Sequence, residues 1–210
     1  MSGWTCDEIK ALAQSVRHRM SEKRFLHTLG VADFAKRMGR DLGFENTDEL
    51  DVAALLHDVA KEMQREEQLQ ILSLPSSVYT FEEDDLRSET LFHGFCAPYV
   101  ILRDFPRFAT DAVLQSVCYH TVGRAGMSLF EKIIFLADYI EEGRTFRDCI
   151  NVRNYYLENV KNAVSKVRLI DECMLMTLDN TLSYLIKKGH YISSRTLLTR
   201  NAILAELSLV

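Results

Sequence analysis

Val52-Ala53-Ala54-Leu55-Leu56-His57-Asp58 is an unbroken apolar run that ends on an imidazole and a carboxylate. Thr47, Asp48 and Glu49 stand ahead of it and suit the positive start of a helix, so the spacing predicts a helix through residues 52–60. At the end of a buried helix a His-Asp pair is costly unless its polar groups are hydrogen-bonded, paired or bound to a metal. An isolated pair of this kind is more often a hydrogen-bonded structural feature than a ligand set. Its company decides between the two.

Helical signals continue outward in both directions. Thr5 and Glu8 form a capping box ahead of Ile9, Leu12, Ala13 and Val16, and Ser21 opens a second helix through Leu29, Ala32 and Ala35 towards Gly43. A fourth helix is expected over residues 66–74, stopped by Pro75, and residues 76–87 (SSVYTFEEDDLR) read as a solvated acidic loop. A helix from about Ser88 should bend or restart near Pro98, because proline lacks a backbone donor and clashes one turn back. Another is expected over residues 111–120. Ser128 with Glu131 makes a second capping box, opening a helix over residues 129–140 that closes at Gly143. From about Asn151 the chain reads as two or three more helices, with Gly189 just past the long one and Met174, Leu175, Met176 and Leu178 in the core. The expected fold class is all-α, a helical bundle with additional C-terminal helices.

Bulk properties agree. A chain of 210 residues fits one domain with a helical annex and buries roughly 70% of the surface its unfolded form exposes, so it needs no disulfides. Only 9 Gly and 3 Pro leave few breaks for a many-turned β fold. The net charge of −5 invites neither nucleic acid nor an acidic membrane, so an anionic substrate would depend on local positive charge. The five cysteines (Cys6, Cys96, Cys118, Cys149, Cys173) are odd in number, scattered and without a Cys-x-x-Cys, which argues against a disulfide framework and a zinc ribbon. Met1-Ser2-Gly3-Trp4 has no basic region followed by an apolar run, and no apolar stretch approaches the roughly 20 residues of a membrane span. The expected location is the cytoplasm.

Six histidines are present, and His27, His57, His93 and His120 have a distinctive setting. His27 shares a helical stripe with Val31, Phe34 and Met38 and therefore faces inward. Asp138 lies inside Ile133-Ile134-Phe135-Leu136-Ala137-Asp138-Tyr139-Ile140, where a carboxylate wants a cation, either a metal or an arginine. His93 and His120 each fall on or at the end of a predicted helix; His18 and His190 lack such context and read as surface residues. Imidazole and carboxylate without thiolate fit a catalytic Fe, Mn, Zn or Mg site better than structural zinc. Inward side chains from several helices of a bundle are a common way to build one.

The same positions resemble the HD-domain superfamily of metal-dependent phosphohydrolases, whose pattern is H…HD…D. Closer still, Arg24-x-x-His27-Thr28, Leu55-Leu56-His57-Asp58-Val59-Ala60-Lys61, His93-Gly94, His120-Thr121-x-Gly123, Lys132-Ile133-Ile134-x-x-Ala137-Asp138-x-Ile140-Glu141, Arg144, Thr196 and Arg200-Asn201 follow one another as in the bacterial YqeK group, symmetrical diadenosine tetraphosphate hydrolases. The resemblance runs from about residue 10 to residue 203. It implies a single HD-type domain over 1–210, with a core near 21–145 and a helical extension over 151–210.

It also implies roles. His27, His57, Asp58 and Asp138 would hold one divalent metal, iron by preference with Mn, Zn or Mg as alternatives. His93 and His120 would hold a second ion bridged by Asp58, or contact phosphate. Water on such a metal has its pKa lowered from about 15.7 to about 7–9, giving hydroxide to attack phosphorus and release two ADP. Asp58 or Asp138, or one of His93 and His120, would take the proton, a carboxylate by preference, and Lys61, one turn beyond His57, would reach a phosphate or the leaving group. Arg24 and Arg144 would clamp phosphates; Thr196, Arg200 and Asn201 would line the nucleotide pocket. A homodimer is implied as well. Alternatives are another HD-type nucleotidase, a nucleotide-binding regulator without turnover, or a metal oxygenase. Two departures bear on nucleotide fit and not on the ligands: Ile140-Glu141-Glu142-Gly143-Arg144 replaces Ile-Glu-Pro-x-Arg, and Phe95, Cys96 and Pro98 follow His93 where smaller residues are usual.

Overall fold

The two capping boxes start their helices as expected. Thr5 Oγ1 accepts from the Glu8 amide while the Glu8 carboxylate accepts from the Thr5 amide, which opens α1 (Cys6–Arg17). Ser128 and Glu131 reciprocate in the same way at α7 (Leu129–Ile140). Ser21 caps α2 (Glu22–Asp41) by accepting from the Arg24 amide, and its own amide and hydroxyl donate to the Glu62 carboxylate. Thr47 makes no such bond; Asn46 Oδ1 accepts from the Asp48 amide at 2.8 Å instead, at the head of α3 (Asp48–Leu56).

The protein is described by a computed structural model, here over residues 3–74 and 81–208. The remaining helices are α4 (Arg65–Leu72), α5 (Phe92–Asp104), α6 (Asp111–Tyr119), α8 (Arg147–Asn159), α9 (Lys166–Lys188) and α10 (Ser194–Ser208), joined in part by short 3-10 turns. The all-α bundle with C-terminal helices is the observed architecture, and no strand occurs among the described residues. α3 is buried almost throughout and packs against α1, α2, α6 and α7, so its C-terminal end lies at the centre of the bundle. α9 packs on α7, α8 and α10. Lys132 of α7, buried, donates to Asp171 of α9 and Glu206 of α10 at 2.6 Å each, tying the extension to the bundle. No helix among the described residues is long and apolar enough to cross a membrane.

Several expectations are corrected. α3 stops at Leu56 and not at residue 60, because the His57 ring takes the Ala54 carbonyl at 2.6 Å and the backbone tightens into i→i+3 bonds (Val59 to Leu56, Lys61 to Asp58). α5 begins at Phe92 after a 3-10 turn over Glu89–Leu91, and it runs through Pro98 without stopping. A proline inside a helix costs about 3 kcal/mol. Phe92, Phe95, Val100 and Ile101 around it are all buried, each worth about 1.5–3 kcal/mol, so packing outweighs the break.

The acidic run is not simply solvated. Residues 76–80 of the expected loop, like the expected stop at Pro75, lie outside the described residues, but Glu83–Arg87 is a 3-10 turn. Asp85 within it is buried, paired with Arg195 at 2.8 Å and accepting from Ser193 Oγ at 2.7 Å, while Asp84 accepts from the Ser194 amide and the Tyr191 hydroxyl. This carboxylate pair anchors the start of α10. The extension starts at Arg147, slightly before Asn151, and forms three helices; Gly189 ends α9 in the left-handed region at φ 65°.

Candidate metal centre

Five helices and one turn aim their chemistry at one point. α2 supplies Arg24 and His27, the end of α3 supplies His57 and Asp58, and the turn after it carries Lys61. α5 contributes His93 from its first turn, His120 caps α6, and α7 brings Asp138, followed by Glu141 and Arg144. His27, His57, Asp58, His93, His120 and Asp138, widely separated in sequence, therefore come together. Three overlapping sets could each hold a metal ion: His27, His57 and Asp58; His57, His120 and Asp138; Asp58, His93 and His120.

Backbone carbonyls set the histidine tautomers. His57 Nδ1 lies 2.6 Å from the Ala54 carbonyl and His120 Nδ1 lies 2.7 Å from the Val117 carbonyl. A carbonyl only accepts, so both Nδ1 atoms carry the proton and both Nε2 atoms present lone pairs. His57 Nε2 is buried without a hydrogen-bond partner, 3.4 Å from Asp58 Oδ2 and 3.9 Å from Asp138 Oδ1. His27 Nε2 lies 2.9 Å from Asp138 Oδ1 and 4.0 Å from Asp58 Oδ2. An orphaned buried lone pair between two carboxylates and a second imidazole is a donor set that fits a divalent cation.

Asp58 serves two sides. Its Oδ2 faces His27, His57 and Arg24, whereas Oδ1 lies 3.3 Å from His93 Nε2 and 3.7 Å from His120 Nε2. Burial would raise its pKa, but the imidazoles of His57, His120 and His93 hold it well below the usual carboxylate range. Asp138 is lowered too, against its burial, by His27, His57 and Arg144. Burial opposes charge on His27, yet hydrogen bonds to Asp138 and Glu141 outweigh it and raise its pKa. His93 is pushed well down by burial and by the Lys61 ammonium, whose Nζ sits 3.2 Å from His93 Nε2. Lys61 is itself lowered by burial, against the pull of Asp58 and Asp138. The tight turn after α3 thus delivers Lys61 to His93, although the helical face expected for it does not exist.

The two expected phosphate arginines are tied to carboxylates. Arg24 Nη1 donates to Asp58 Oδ2 at 2.8 Å, and Arg144 Nη2 donates to Asp138 Oδ1 at 2.7 Å while its Nε donates to the Asp138 carbonyl at 3.0 Å. A guanidinium has five donors, so neither is exhausted, and Arg24 Nε is buried without a partner. Both arginines line a cavity of about 850 Å³ at the mouth of the cluster, with Lys23, His27, Glu141 and Phe146.

The α10 residues lie apart from this cluster in their bonding. Arg200 pairs with Asp179 of α9 at 2.7 Å, Thr196 is buried with its amide on the Ser193 carbonyl, and Asn201 is exposed. His18 and His190 are exposed, as expected.

Glu141 is the functional residue whose role the sequence left unread. Buried after the last turn of α7, it places Oε1 3.1 Å from His27 Nδ1 and accepts from the Gly143 amide on Oε2. Arg153 of α8 pins this turn by donating to the Glu141 carbonyl at 2.6 Å. A Cβ on Gly30 would meet Glu141 Oε2 at 2.5 Å, so a side chain there would push the Glu141 carboxylate aside. A glycine one turn past an inward histidine was the available signal, since inside a helix it costs about 1 kcal/mol against alanine.

Comparison with known proteins agrees with this geometry. The family model described as the HD domain matches residues 24–143. The chain is 34% identical over 198 residues to a symmetrical bis(5'-nucleosyl)-tetraphosphatase of Halalkalibacterium halodurans, covering 94% of this chain and 97% of that one. A Bacillus subtilis protein of the same description is 29% identical over 189 residues, 89% of this chain and 92% of its own. Among solved structures, an HD superfamily hydrolase of Clostridium acetobutylicum described as involved in NAD metabolism superposes with a TM-score of 0.80 at 31% identity, covering 97% of this chain and 98% of that one.

Proposed function

This chain belongs to the HD domain family and is a phosphohydrolase of that type; on that footing we propose that it cleaves diadenosine tetraphosphate symmetrically into two ADP. The observation that carries the chemistry is the buried, unpartnered His57 Nε2 facing Asp58, Asp138 and His27. The substrate follows from relatives described as symmetrical tetraphosphatases that align over nearly the whole chain.

His27, His57, Asp58 and Asp138 are the proposed ligands, and the donor set of imidazole and carboxylate suits iron, with manganese as the nearest alternative. A divalent cation there would acidify a water and offset charge on the phosphates. Asp58 is placed to accept the water's proton on Oδ1, the oxygen that faces His93 and His120, while Arg24 holds Oδ2. Lys61, its pKa lowered by burial, gives up a proton more readily than a surface lysine and suits delivery to the departing ADP oxygen. Arg24 Nε and the spare donors of Arg144 bind phosphate oxygens. The bond that breaks joins the bridging oxygen to the second phosphorus; the water oxygen ends on one ADP and the bridging oxygen on the other.

His93, His120 and Asp58 Oδ1 form a second set, open to a second ion or to a phosphate oxygen, and the metal stoichiometry separates the two. The contacts assigned by motif to Thr196, Arg200 and Asn201 belong to the same proposal; Arg200 would use donors left by its pair with Asp179. Five free cysteines fit a reducing cytoplasm.

The test incubates the metal-loaded protein with diadenosine tetraphosphate and separates the products by ion exchange. ADP as sole product, lost on chelation and in Asp58→Ala, is expected. AMP with ATP, or an intact substrate, would overturn the assignment. The neighbour described as involved in NAD metabolism favours a second reading, hydrolysis of a nucleotide of that metabolism, which would not yield ADP alone.

A further inference from the structure

We propose that Arg153 of α8 is a positioning residue of the centre, holding in place both the carboxylate that orients His27 and the arginine that meets phosphate. The inference rests on the reading of His27 as a metal ligand and of Arg144 as a phosphate contact. It adds a residue that touches neither metal nor substrate. The segment that needs holding is the turn after α7. Glu141 leaves the helix with extended backbone angles, φ −55° and ψ 156°, and the chain doubles back so that the Arg144 amide donates to the Glu141 carbonyl at 3.0 Å. Two working side chains therefore leave from the two ends of one four-residue turn. Little covers it: Glu142 and Gly143 are exposed, and so are residues 145–148. The glycine inside the turn adds conformational freedom. The contact of Glu141 Oε1 with His27 Nδ1 is 3.1 Å, and a shift of the turn by about 1 Å would carry it beyond hydrogen-bond length.

Arg153 supplies the restraint. Its Nη1 donates to the Ile140 carbonyl at 3.3 Å, the Glu141 carbonyl at 2.6 Å and the Arg144 carbonyl at 3.2 Å. One nitrogen thus ties the entry of the turn to its exit. A cation at the C-terminal end of α7 also meets the negative pole of the helix dipole and carbonyls that lack an intrahelical partner. Among the described residues no carboxylate pairs with Arg153, so its charge is directed to these three oxygens. α8 is held to the bundle by other means. Val152 and Tyr156 are fully buried, and the Tyr156 hydroxyl donates to Asp41 at the end of α2 at 3.1 Å. The arginine is therefore free to serve the turn, and its removal leaves the packing of α8 in place.

The experiment titrates the protein with manganese(II), and then the manganese-saturated protein with inorganic pyrophosphate, both by calorimetry. Arg153→Met removes the donors and keeps the aliphatic stem, and it should weaken both affinities about two- to thirtyfold. Arg153→Lys, with three donors on one nitrogen, should recover part of each loss. Double variants decide whether Arg153 acts through its two targets. In a Glu141→Ala background Arg153→Met should cause no further loss of manganese affinity. In an Arg144→Ala background it should cause no further loss of pyrophosphate affinity. Wild-type affinities in Arg153→Met overturn the proposal, as do losses that add in full in both backgrounds. Either result leaves the reading of the centre standing where Glu141→Ala alone weakens manganese and Arg144→Ala alone weakens pyrophosphate. Wild-type binding in those two variants removes that reading, and the proposal with it.

Discussion

Glu141 Oε1 lies 3.1 Å from His27 Nδ1, on the side of the ring opposite the nitrogen that approaches Asp138. A carboxylate only accepts, so Nδ1 carries a proton towards Glu141, and Nε2, which turns to Asp138, is the nitrogen on the side of the centre, the arrangement that outer-shell partners give metal-bound histidines. Glu141→Ala should lower metal affinity about 10–100-fold with the fold intact, and Glu141→Gln, which keeps an acceptor, should lose less. Gly30→Ala is the sharper probe. In an ordinary helix it would stabilise by about 1 kcal/mol, but here its Cβ displaces Glu141, so metal affinity should fall with no gain in Tm. Metal titration and thermal melts of the variants check both; a more stable Gly30→Ala protein with full affinity would refute the relationship.

His57→Ala and Asp58→Ala remove groups that converge from one turn, and each should abolish metal content and hydrolysis together. Far-UV circular dichroism should stay helical, because α3 packs through Leu50, Val52, Leu55 and Leu56 and not through these two side chains. Metal analysis by atomic absorption beside the product assay decides it. Full activity in either variant would remove the centre from the mechanism.

Much of this centre was legible because polar residues interrupt apolar patterns: His57-Asp58 closes an apolar run, Asp138 sits inside another, and His27 shares a stripe with Val31, Phe34 and Met38. Periodicity shows which way a residue faces within its own helix, and that was enough. It does not report contacts between elements, so the Glu141–His27 pair and the ties of Arg24 to Asp58 and Arg144 to Asp138 were hidden. The end of α3 was misplaced for a related reason, since a histidine ring that takes a backbone carbonyl leaves no trace in a hydropathy pattern. Asp85 read as a solvated charge because its partner Arg195 lies 110 residues away.

The cysteines give a prediction independent of the centre. Cys6 is exposed, whereas Cys96, Cys118, Cys149 and Cys173 are buried. Burial pushes Cys96 and Cys173 up to about 12 and raises Cys118 and Cys149 as well. The thiolate is the reactive form, and a thiol at about 12 is ionised to about one part in ten thousand at pH 8. Iodoacetamide should therefore modify Cys6 at least about a hundredfold faster than the other four in the native protein, and all five after unfolding. Peptide mapping by mass spectrometry reads the sites directly, and native labelling of Cys96 at the rate of Cys6 would contradict the packing.

Asp104 predicts a pH dependence at the opposite end of α5. Its carboxyl is lowered to about 2, chiefly by the Arg103 hydrogen bonds and then by Arg19 at 2.6 Å. The folded pKa lies below the unfolded value of about 3.9. The ion pairs therefore contribute stability that is fully present above about pH 4 and lost as pH falls through about 2. Arg19 and Arg103 are both more than a third exposed, so solvent screening limits the contribution to about 1 kcal/mol. Asp104→Asn should unfold at lower urea than the wild type at pH 6, by about that free energy. The gap should narrow at pH 3 and be mostly gone at pH 2, where the native carboxyl is itself about half protonated. A gap that stayed constant from pH 6 to pH 2 would mean that Asp104 acts through packing or neutral hydrogen bonds, and the charge pairing with Arg19 and Arg103 would carry no stability.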